Sequence, residues 1–359
     1  MLGYIGTNMN TATFLPLTLG LVIFSFLISS FCVVPFINLL YKLKLTRGKE
    51  APKKGKVPLF DKLHDKKAGT PVGGGILILL LVITLFAIAF PMASHLGVFV
   101  QSAYDLKGEL WVIFLTFISF GILGLLDDLV KIFGKHEAGP MGLWIGMRRW
   151  QKFSLQWILA FIVSFLIYDN LGIHILNIPI IGIVFDMGIW YVPFAAFVIV
   201  AFTNAFNITD GLDGLATGLL LICLVAFGTI AAGSLDTPLS IFISIWMGTL
   251  IAFLYFNTWP ARIFLGDAGA LSFGATLAVM GLLTGSIIAL VVIGGIFVLE
   301  LTSSAVQIFG WRVLKRPILP LAPLHNTFLT MGWEEPKIVM RAWLTGIIFA
   351  IFGLWLATI

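Results

Sequence analysis

Long apolar runs recur along the chain and are separated by short polar connections. Ten of these runs approach or exceed the roughly 20 residues that a helix needs to cross a bilayer. They lie near residues 14–41, 73–92, 110–126, 152–169, 190–206, 212–232, 239–256, 269–285, 287–311 and 340–358. The stretch 269–311 has one charged residue, Glu300, and is too long for a single span. The pattern predicts an all-α polytopic membrane protein with about ten transmembrane helices.

The composition supports this prediction and excludes several classes of protein. Apolar residues make up 59% of the 359 residues, and charged residues make up only 11%. Soluble domains are about a quarter charged, so a water-soluble, disordered, collagen-like or disulfide-stapled protein is excluded. No Lys or Arg precedes Lys42, so we expect the first apolar run to remain a span rather than act as a cleavable signal. We expect residues 1–359 to form one integral membrane domain.

Basic residues are concentrated in alternate loops. Ten lie in the loop 42–72, five in the segment 127–152, one at Arg262 and five in the segment 312–341. Only Lys107 of the 22 basic residues lies elsewhere. Because Lys and Arg are enriched in cytoplasmic loops, we expect these loops to be cytoplasmic and both termini to be extracytoplasmic. The same side would attract anionic membrane lipids.

Carboxylates are found at the ends of several predicted spans. Asp127 and Asp128 end the third span in GLLDDLVK, Asp210 and Asp213 lie in NAFNITDGLDGLA, and Asp267 lies in FLGDAGAL. All five lie at span ends that the basic residues independently assign to the cytoplasm. Because a carboxylate beside hydrocarbon is costly, it usually faces a bundle interior or a cavity. The sequence therefore predicts a hydrophilic cytoplasmic cleft.

Each cluster also has a purely structural interpretation. Asp127 and Lys131 have the spacing of an i,i+4 ion pair, and the Asp-Gly-Leu-Asp-Gly run is typical of a tight turn. However, two adjacent carboxylates repel each other unless a cation or a proton lies between them. A polar side chain also recurs every third residue at Asn204, Asn207, Asp210 and Asp213, which stacks them roughly on one face of a helical segment. Oxygen ligands without a Cys or His cluster favour Mg²⁺ over zinc.

Three further features have two interpretations each. Lys66 precedes and Lys67 begins the segment KAGTPVGGG, whose glycines at 73–75 allow close approach of either a ligand or a neighbouring helix. Glu300 is the only charge in the middle of a span, which indicates either a functional role or the capping of a broken helix. His325 lies in the polar segment LAPLHNTF and is either catalytic or solvated.

Taken together, the motifs resemble one known family. KAGTP with its glycine cluster, GLLDDLVK, NAFNITDGLDGLA, YFNTWPARIFLGDAGAL, FVLE and APLHNTF…GW occur in family order between about residues 66 and 333. They closely resemble the bacterial phospho-N-acetylmuramoyl-pentapeptide transferases, within the wider polyprenyl-phosphate N-acetylhexosamine-1-phosphate transferases. The KxGTP segment points to the muramoyl-pentapeptide branch.

The resemblance implies a reaction at the bacterial cytoplasmic (inner) membrane. Phospho-MurNAc-pentapeptide would pass from UDP-MurNAc-pentapeptide to undecaprenyl phosphate, releasing UMP and forming lipid I on the cytoplasmic leaflet, with Mg²⁺ as the cofactor. The resemblance is also compatible with a homodimer and implies binding of nucleoside inhibitors that mimic UDP-sugars. A nucleic-acid partner is not expected.

The resemblance also implies residue roles. Asp267 would be the principal Mg²⁺ ligand, with Asp127, Asp128 or Asp210 as further ligands. Asp127 or Asp128 would position or deprotonate the lipid phosphate, and a covalent aspartyl intermediate is the alternative route. His325 would complete the catalytic set. The residues expected to bind substrate are Lys67, Thr70, Lys131, Asn204, Asn207, Asp210, Asp213, Asn257 and Phe264, with Phe264 stacking on uracil and Lys131 facing a phosphate.

The chain departs from the family pattern at three places. The usual His-His-His triplet is His325, Asn326 and Thr327 here, while Pro320 replaces a basic residue and Ala270 replaces a serine. Either only the first histidine is required, or the donor site accepts a different sugar.

Two other functions are alternatives. One is the transfer of GlcNAc-1-phosphate from UDP-GlcNAc to undecaprenyl phosphate, which KAGTP argues against and the altered triplet leaves open. The other is an ion-coupled transporter, whose buried carboxylates would lie near the middle of the membrane. Only Glu300 lies there.

Overall fold

The computed structural model describes residues 10–47, 67–95, 98, 100–133 and 147–359. Most of the lysine-rich loop therefore lies outside the described residues. The predicted cytoplasmic placement of Lys49, Lys53, Lys54, Lys56, Lys62, Lys66 and Lys135 concerns residues outside these ranges.

Helices dominate the part of the chain that the structure describes. They are α1 (Asn10–Lys42), α2 (Gly74–His95), α3 (Leu106–Phe133), α4 (Arg149–Leu171), α5 (Tyr191–Thr209), α6 (Leu215–Gly233), α7 (Thr237–Asn257), α8 (Gly266–Leu283), α9 (Ile287–Ile293), α10 (Gly295–Phe309), α11 (Leu324–Thr330) and α12 (Glu335–Thr358). Within the described ranges, nine of these helices are long and apolar enough to cross a membrane, and the bent pair of α9 and α10 brings the total to ten. The prediction of about ten spans is confirmed.

The ninth predicted span, 287–311, is a broken helix rather than a straight one. Helix α9 ends at Ile293, and the chain turns by 78° before α10 continues through the π-helical turn Gly310–Leu314. The break falls at Gly294 and Gly295, where Phe202 and Phe349 pack too closely to leave room for a side chain. Small residues thus permit a bend that hydropathy alone did not reveal.

A short β-hairpin was not predicted and adds a two-stranded sheet to the helical fold. Strand β1 (Ile175–Ile178) pairs antiparallel with β2 (Ile183–Asp186), between α4 and α5. The strands are joined by the 3₁₀ turn Pro179–Ile181, after which Gly182 adopts a left-handed conformation. The β-branched composition of both strands and the Pro and Gly between them were signals for a hairpin within the sequence.

Helix α8 lies at the centre of the bundle, and nearly all of its side chains are buried. Its Phe273 packs against Trp246 of α7 and Phe117 of α3, with ring centroids 5.0 and 5.9 Å apart. Edge-to-face and stacked aromatic pairs add to the stabilisation from burial alone. This aromatic cluster fixes α3 and α7 against α8.

Glycines set how closely the neighbouring helices approach α8. A Cβ on Gly124 of α3 would lie 2.0 Å from the carbonyl oxygen of Asp267, and one on Gly75 of α2 would lie 2.2 Å from the Gly269 nitrogen. Gly74 and Gly75 of the predicted glycine cluster therefore serve helix packing, since a Cβ on Gly74 would lie 2.1 Å from the Phe253 ring of α7. Gly73 has a φ of +129°, which favours glycine for its conformation. Residues three and four positions apart share a helix face, so the face of α3 that touches α8 at Gly124 also carries Asp127 and Asp128.

We predict that Gly124→Ala destabilises the protein. The added methyl group must displace the backbone at the start of α8, and overpacking of this kind costs about 1–3 kcal/mol. The midpoint of thermal unfolding in detergent should fall relative to Gly233→Ala, because a Cβ at Gly233 meets no atom within 4 Å. Equal midpoints for the two variants would contradict the close packing at Gly124.

Candidate active site

Several helix ends meet around one cavity of about 310 Å³. The cavity lies where α3, α5 and α7 end and where α6 and α8 begin. Its lining residues are Arg47, Lys67, Val72, Asp128, Lys131, Asn207, Asp210, Gly211, Leu212, Asp213, Asn257, Phe264, Gly266 and Asp267. Nine of the thirteen predicted site residues line it. The other four, Asp127, Thr70, Asn204 and His325, are not among the lining residues.

Asp128 holds the start of α8. Its two carboxylate oxygens accept hydrogen bonds from the backbone N–H groups of Asp267 and Ala268, each at 3.0 Å. These N–H groups are unpaired within the helix, and the helix dipole adds favourable positive charge at this end. Gly266 precedes them with φ of +78°, a conformation that favours glycine. Asp128 thus fixes where Asp267 enters the cavity.

Asp267 and Asp127 share two lysines. Lys131 Nζ lies 2.5 Å from Asp267 Oδ2 and 3.0 Å from Asp127 Oδ2, and Lys152 Nζ lies 2.5 and 2.8 Å from the same two atoms. Asp127 Oδ1 also accepts the Met147 N–H at 2.7 Å. Both carboxylates are therefore charge-compensated. The predicted i,i+4 pair of Asp127 and Lys131 exists, but it is part of this larger cluster.

Lys152 was not singled out in the sequence, where it is one of many basic residues at a span end. Its position in the first turn of α4 offered no motif. Only the packing of α4 beside α3 and α5 brings its amine to Asp267, 115 residues further along the chain. Pairing across that distance is a tertiary property and has no local signal.

The asparagines of α5 have separate tasks. Asn207 donates to Asp267 Oδ1 at 3.0 Å and so faces the cavity. Asn204 instead donates to Gln156 of α4 and to the Val200 carbonyl, both at 2.8 Å. The prediction that four polar residues share one face is therefore wrong for Asn204. An α-helix has 3.6 residues per turn, so side chains three residues apart point in progressively different directions.

A second ion cluster closes the opposite wall. Lys67 Nζ lies 2.6 Å from Asp213 Oδ1 and 2.5 Å from Glu335 Oε1, and all three side chains are largely buried. Glu335 also accepts the Asp213 N–H at 2.7 Å, and Asp213 Oδ2 accepts the Ala261 N–H at 2.9 Å. The cluster ties the start of α12 to the turn between α5 and α6. Glu335 was not predicted, since nothing local distinguishes it from Glu334.

An aromatic wall lies beside this cluster. The backbone N–H groups of Gly73 and Gly74 donate to the Phe264 carbonyl, and Phe264 donates to Pro71. The Arg47 guanidinium lies 5.8 Å from the centre of the Phe264 ring. The Thr70 carbonyl oxygen accepts the Arg47 backbone N–H, and Thr70 is not among the lining residues.

Asn257 is buried at the end of α7. It accepts from the Thr217 hydroxyl at 2.7 Å and donates to the Ile263 carbonyl at 2.9 Å. These bonds hold the chain that leads into Phe264.

His325 is buried, and its Nδ1 lies 3.0 Å from Glu300 Oε2. A Cβ on Gly211 would lie 2.5 Å from the other ring nitrogen, Nε2. The imidazole therefore reaches the cavity wall at Gly211. The solvated alternative for His325 is wrong, and Glu300 is not isolated in its span.

A divalent cation would find oxygen ligands in this cavity. Within the described ranges, no three His, Cys, Asp or Glu side chains converge as a preformed metal cluster. Asp128, Asp210, Asp213 and Asp267 line the cavity. Asp128 and Asp213 accept backbone N–H groups, whereas Asp267, among the residues that the structure describes, accepts only from side chains, those of Lys131, Lys152 and Asn207. Asp267 and Asp210 are therefore the carboxylates best placed to bind a cation. Two carboxylates, completed by water and substrate phosphate, suit Mg²⁺ rather than zinc.

The chain is similar to known transferases. A family model described as glycosyl transferase family 4 matches residues 110–285, which contain all three carboxylate clusters. The phospho-N-acetylmuramoyl-pentapeptide-transferase of Rickettsia canadensis (strain McKiel) is 36% identical over 311 residues, covering 81% of this chain and 80% of that protein. The transferase of the same name from Geobacillus thermodenitrificans (strain NG80-2) is 34% identical over 335 residues, covering 92% and 95%.

Asp210 makes the stability of the folded protein depend on pH. Burial, reinforced by the charge of Asp267, raises the pKa of Asp210 from 3.8 to about 7. The folded chain thus retains a proton that the unfolded chain releases, so this group's contribution to stability is lost as the pH rises from about 4 to 7.

We predict that Asp210→Asn raises the midpoint of thermal unfolding, because asparagine carries no charge to bury. The gain should grow between pH 5 and pH 7 and then level off. Melting curves recorded without divalent cations would measure it, with the exposed Asp169→Asn as the control. A gain that shrinks with rising pH would contradict a raised pKa for Asp210.

Proposed function

Because the chain belongs to the family of phospho-N-acetylmuramoyl-pentapeptide transferases, we propose that it transfers phospho-MurNAc-pentapeptide from UDP-MurNAc-pentapeptide to undecaprenyl phosphate. The products are UMP and lipid I. The protein is a multi-pass membrane enzyme of the phosphotransferase class. The observation that carries the proposal is the lysine–aspartate cluster at one end of the bundle, since a phosphoryl transfer needs positive charge around its phosphates.

The lysines bind the diphosphate. Lys131 and Lys152 place two ammonium groups within 2.5 Å of one oxygen of Asp267. A diphosphate entering the cavity offers these amines further acceptors in place of water. Asp267 and Asn207, joined by a 3.0 Å hydrogen bond, hold the cluster against the start of α8.

Mg²⁺ is the proposed cofactor, and Asp267 with Asp210 would hold it. Bound there, it would neutralise charge on the phosphates and act as a Lewis acid. The remaining residues act without it: Asp128 orients the start of α8, and Asp127 holds Lys131 and Lys152 through the contacts described above.

Asp127 is better suited to holding the lysines than to removing a proton. Both of its oxygens accept from N–H donors, two of which are cationic. A substrate proton would have to displace one of these donors before it could reach Asp127. We therefore favour direct attack by the ionised lipid phosphate over a route that needs Asp127 as a base or nucleophile.

The uridine side of the donor is assigned to the opposite wall. Phe264 offers a ring face, and Lys67 and Asn257 lie beside it in the lining. Lys67 is bound by two carboxylates, Asp213 and Glu335, and lies 5.7 Å from the Trp259 ring. Its charge therefore holds Asp213 and Glu335 in place and also attracts the nucleotide.

The cavity faces the cytoplasm of a bacterial inner membrane in this proposal. The basic loops support that orientation through the positive-inside rule. A soluble nucleotide donor and a lipid phosphate then meet where water and the inner leaflet adjoin. Homodimer formation and binding of nucleoside analogues of UDP-sugars belong to the same proposal.

We predict that Asp267→Asn lowers the rate of UMP release by about 100-fold or more, since it removes the charge that holds both lysines and the metal. The assay contains purified protein, undecaprenyl phosphate, Mg²⁺ and either UDP-MurNAc-pentapeptide or UDP-GlcNAc. The parent should release UMP with the pentapeptide donor alone and should stop on chelation.

The exposed Asp169→Asn is the matched control and should retain the parent's rate. Release only with UDP-GlcNAc would instead assign the chain to the transferases that move GlcNAc-1-phosphate to undecaprenyl phosphate. An Asp267→Asn variant as active as the control would contradict the assigned cluster.

We predict that restoring the triplet changes little. Thr327 donates its hydroxyl to the Leu321 carbonyl, and Asn326 is buried, so neither position faces the cavity lining. The variant with Asn326→His and Thr327→His should keep the parent's donor preference and its kcat within about threefold. A switch in donor would instead show that the altered triplet remodels the sugar site.

A further inference from the structure

A polar stripe on α10 holds the segment that carries His325. Gln307 accepts the N–H groups of Ile318 and Leu319, and Ser303 accepts the Leu324 N–H at 3.0 Å. Glu300 lies one turn before Ser303 on the same face. The polar stripe consists of Glu300, Ser303 and Gln307. Each of these side chains binds a different part of the backbone of the segment 318–325.

Glu300 differs from the other two members because it also binds a side chain. One of its oxygens accepts the His325 backbone N–H at 3.1 Å, and the other lies 3.0 Å from the ring Nδ1. Both side chains are at most 5% exposed. A carboxylate has no proton to give when ionised, so a hydrogen bond to it requires the proton to be on Nδ1.

The opposite ring nitrogen is left for the cavity wall. Within the described residues, Nε2 of His325 makes no hydrogen bond, and it lies against Gly211, which lines the cavity. Gly211 does not have a positive φ, so its lack of a side chain makes room for the imidazole rather than permitting a turn.

From this geometry we propose that Glu300 is a positioning residue for the transfer reaction. It keeps the proton of His325 on Nδ1 and aims Nε2 past Gly211 at the donor substrate. His325 is then the one member of the altered triplet that serves the reaction. The inference rests on the proposed function for its kinetic consequence, but the position of the proton is a property of the protein alone.

Glu300→Gln tests the assignment with almost no change in shape. An amide has one donor end and one acceptor end, while Glu300 accepts on both oxygens. If the amide oxygen keeps the His325 backbone bond, its NH₂ faces Nδ1, and the ring proton must move to Nε2. A wrong tautomer in a carboxylate–histidine pair lowers turnover strongly while leaving the fold intact.

Ser303→Ala is the matched control. Ser303 holds the same segment from the same helix face but does not touch the ring. Gly211→Ala is the second test, because its methyl group would lie 2.5 Å from Nε2 and must displace the ring or the backbone at the cavity wall.

The first measurement is the ¹⁵N spectrum of histidine-labelled protein in bilayers, with His325 assigned from His325→Asn. We expect a protonated Nδ1 in the parent and in Ser303→Ala, and an unprotonated Nδ1 in Glu300→Gln. An unprotonated Nδ1 in the parent would overturn the proposal. This result does not depend on which reaction the protein catalyses.

The second measurement is steady-state UMP release. We expect Glu300→Gln and Gly211→Ala to lower kcat about 10-fold or more, with Ser303→Ala near the parent. Equal kinetics for Glu300→Gln and Ser303→Ala would show that Glu300 only holds the segment in place, and would overturn its role in the reaction. A parent inactive with both donors would overturn the proposed function, while the spectrum would still decide where the proton lies.

Discussion

Carboxylates at the edge of a hydrocarbon layer need hydrogen-bond donors, and this requirement organises the whole cavity. Asp128 satisfies it by binding the first N–H groups of α8, and it thereby fixes the end of the most buried helix in the bundle. Gly124, one turn earlier on α3, lets the two backbones come close enough for those bonds. Because an unpaired buried charge costs several kcal/mol, the pairing and the packing depend on each other. The remaining helix ends are arranged around this junction.

Hydropathy was sufficient to predict the spans, because a membrane helix must be apolar over its full length. The five aspartates were also predictable as a group, since alternate span ends lie on one side. The partners of those aspartates were not predictable. Lys152 and Glu335 reach the cavity only through contacts between helices, and Glu335 lies 122 residues from the Asp213 backbone it binds. The 78° break and the hairpin depend on packing and on short-range turns that the apolar pattern conceals.

The cavity has two walls of different chemistry. One wall pairs Asp127 and Asp267 with two lysines, which gives a compact, charge-balanced group suited to phosphates. The other wall binds Lys67 between two carboxylates beside Trp259 and Phe264, which gives a rigid surface suited to a planar base. Salt bridges of this kind contribute little net stability, because desolvation offsets most of the attraction. Their value here is that they fix the direction of each charge.

The polar stripe on α10 has a consequence for which substitutions the sequence of this protein can tolerate. Glu300, Ser303 and Gln307 hold the segment 318–325 almost entirely through its main-chain atoms. A main chain is the same whatever side chains it carries. The exposed Pro320, whose side chain takes no part in these bonds, can therefore be exchanged at small cost in shape, while His325, whose ring is held as well, cannot. The segment can therefore accumulate substitutions at its exposed positions while its main chain, and with it the His325 ring, stays in place.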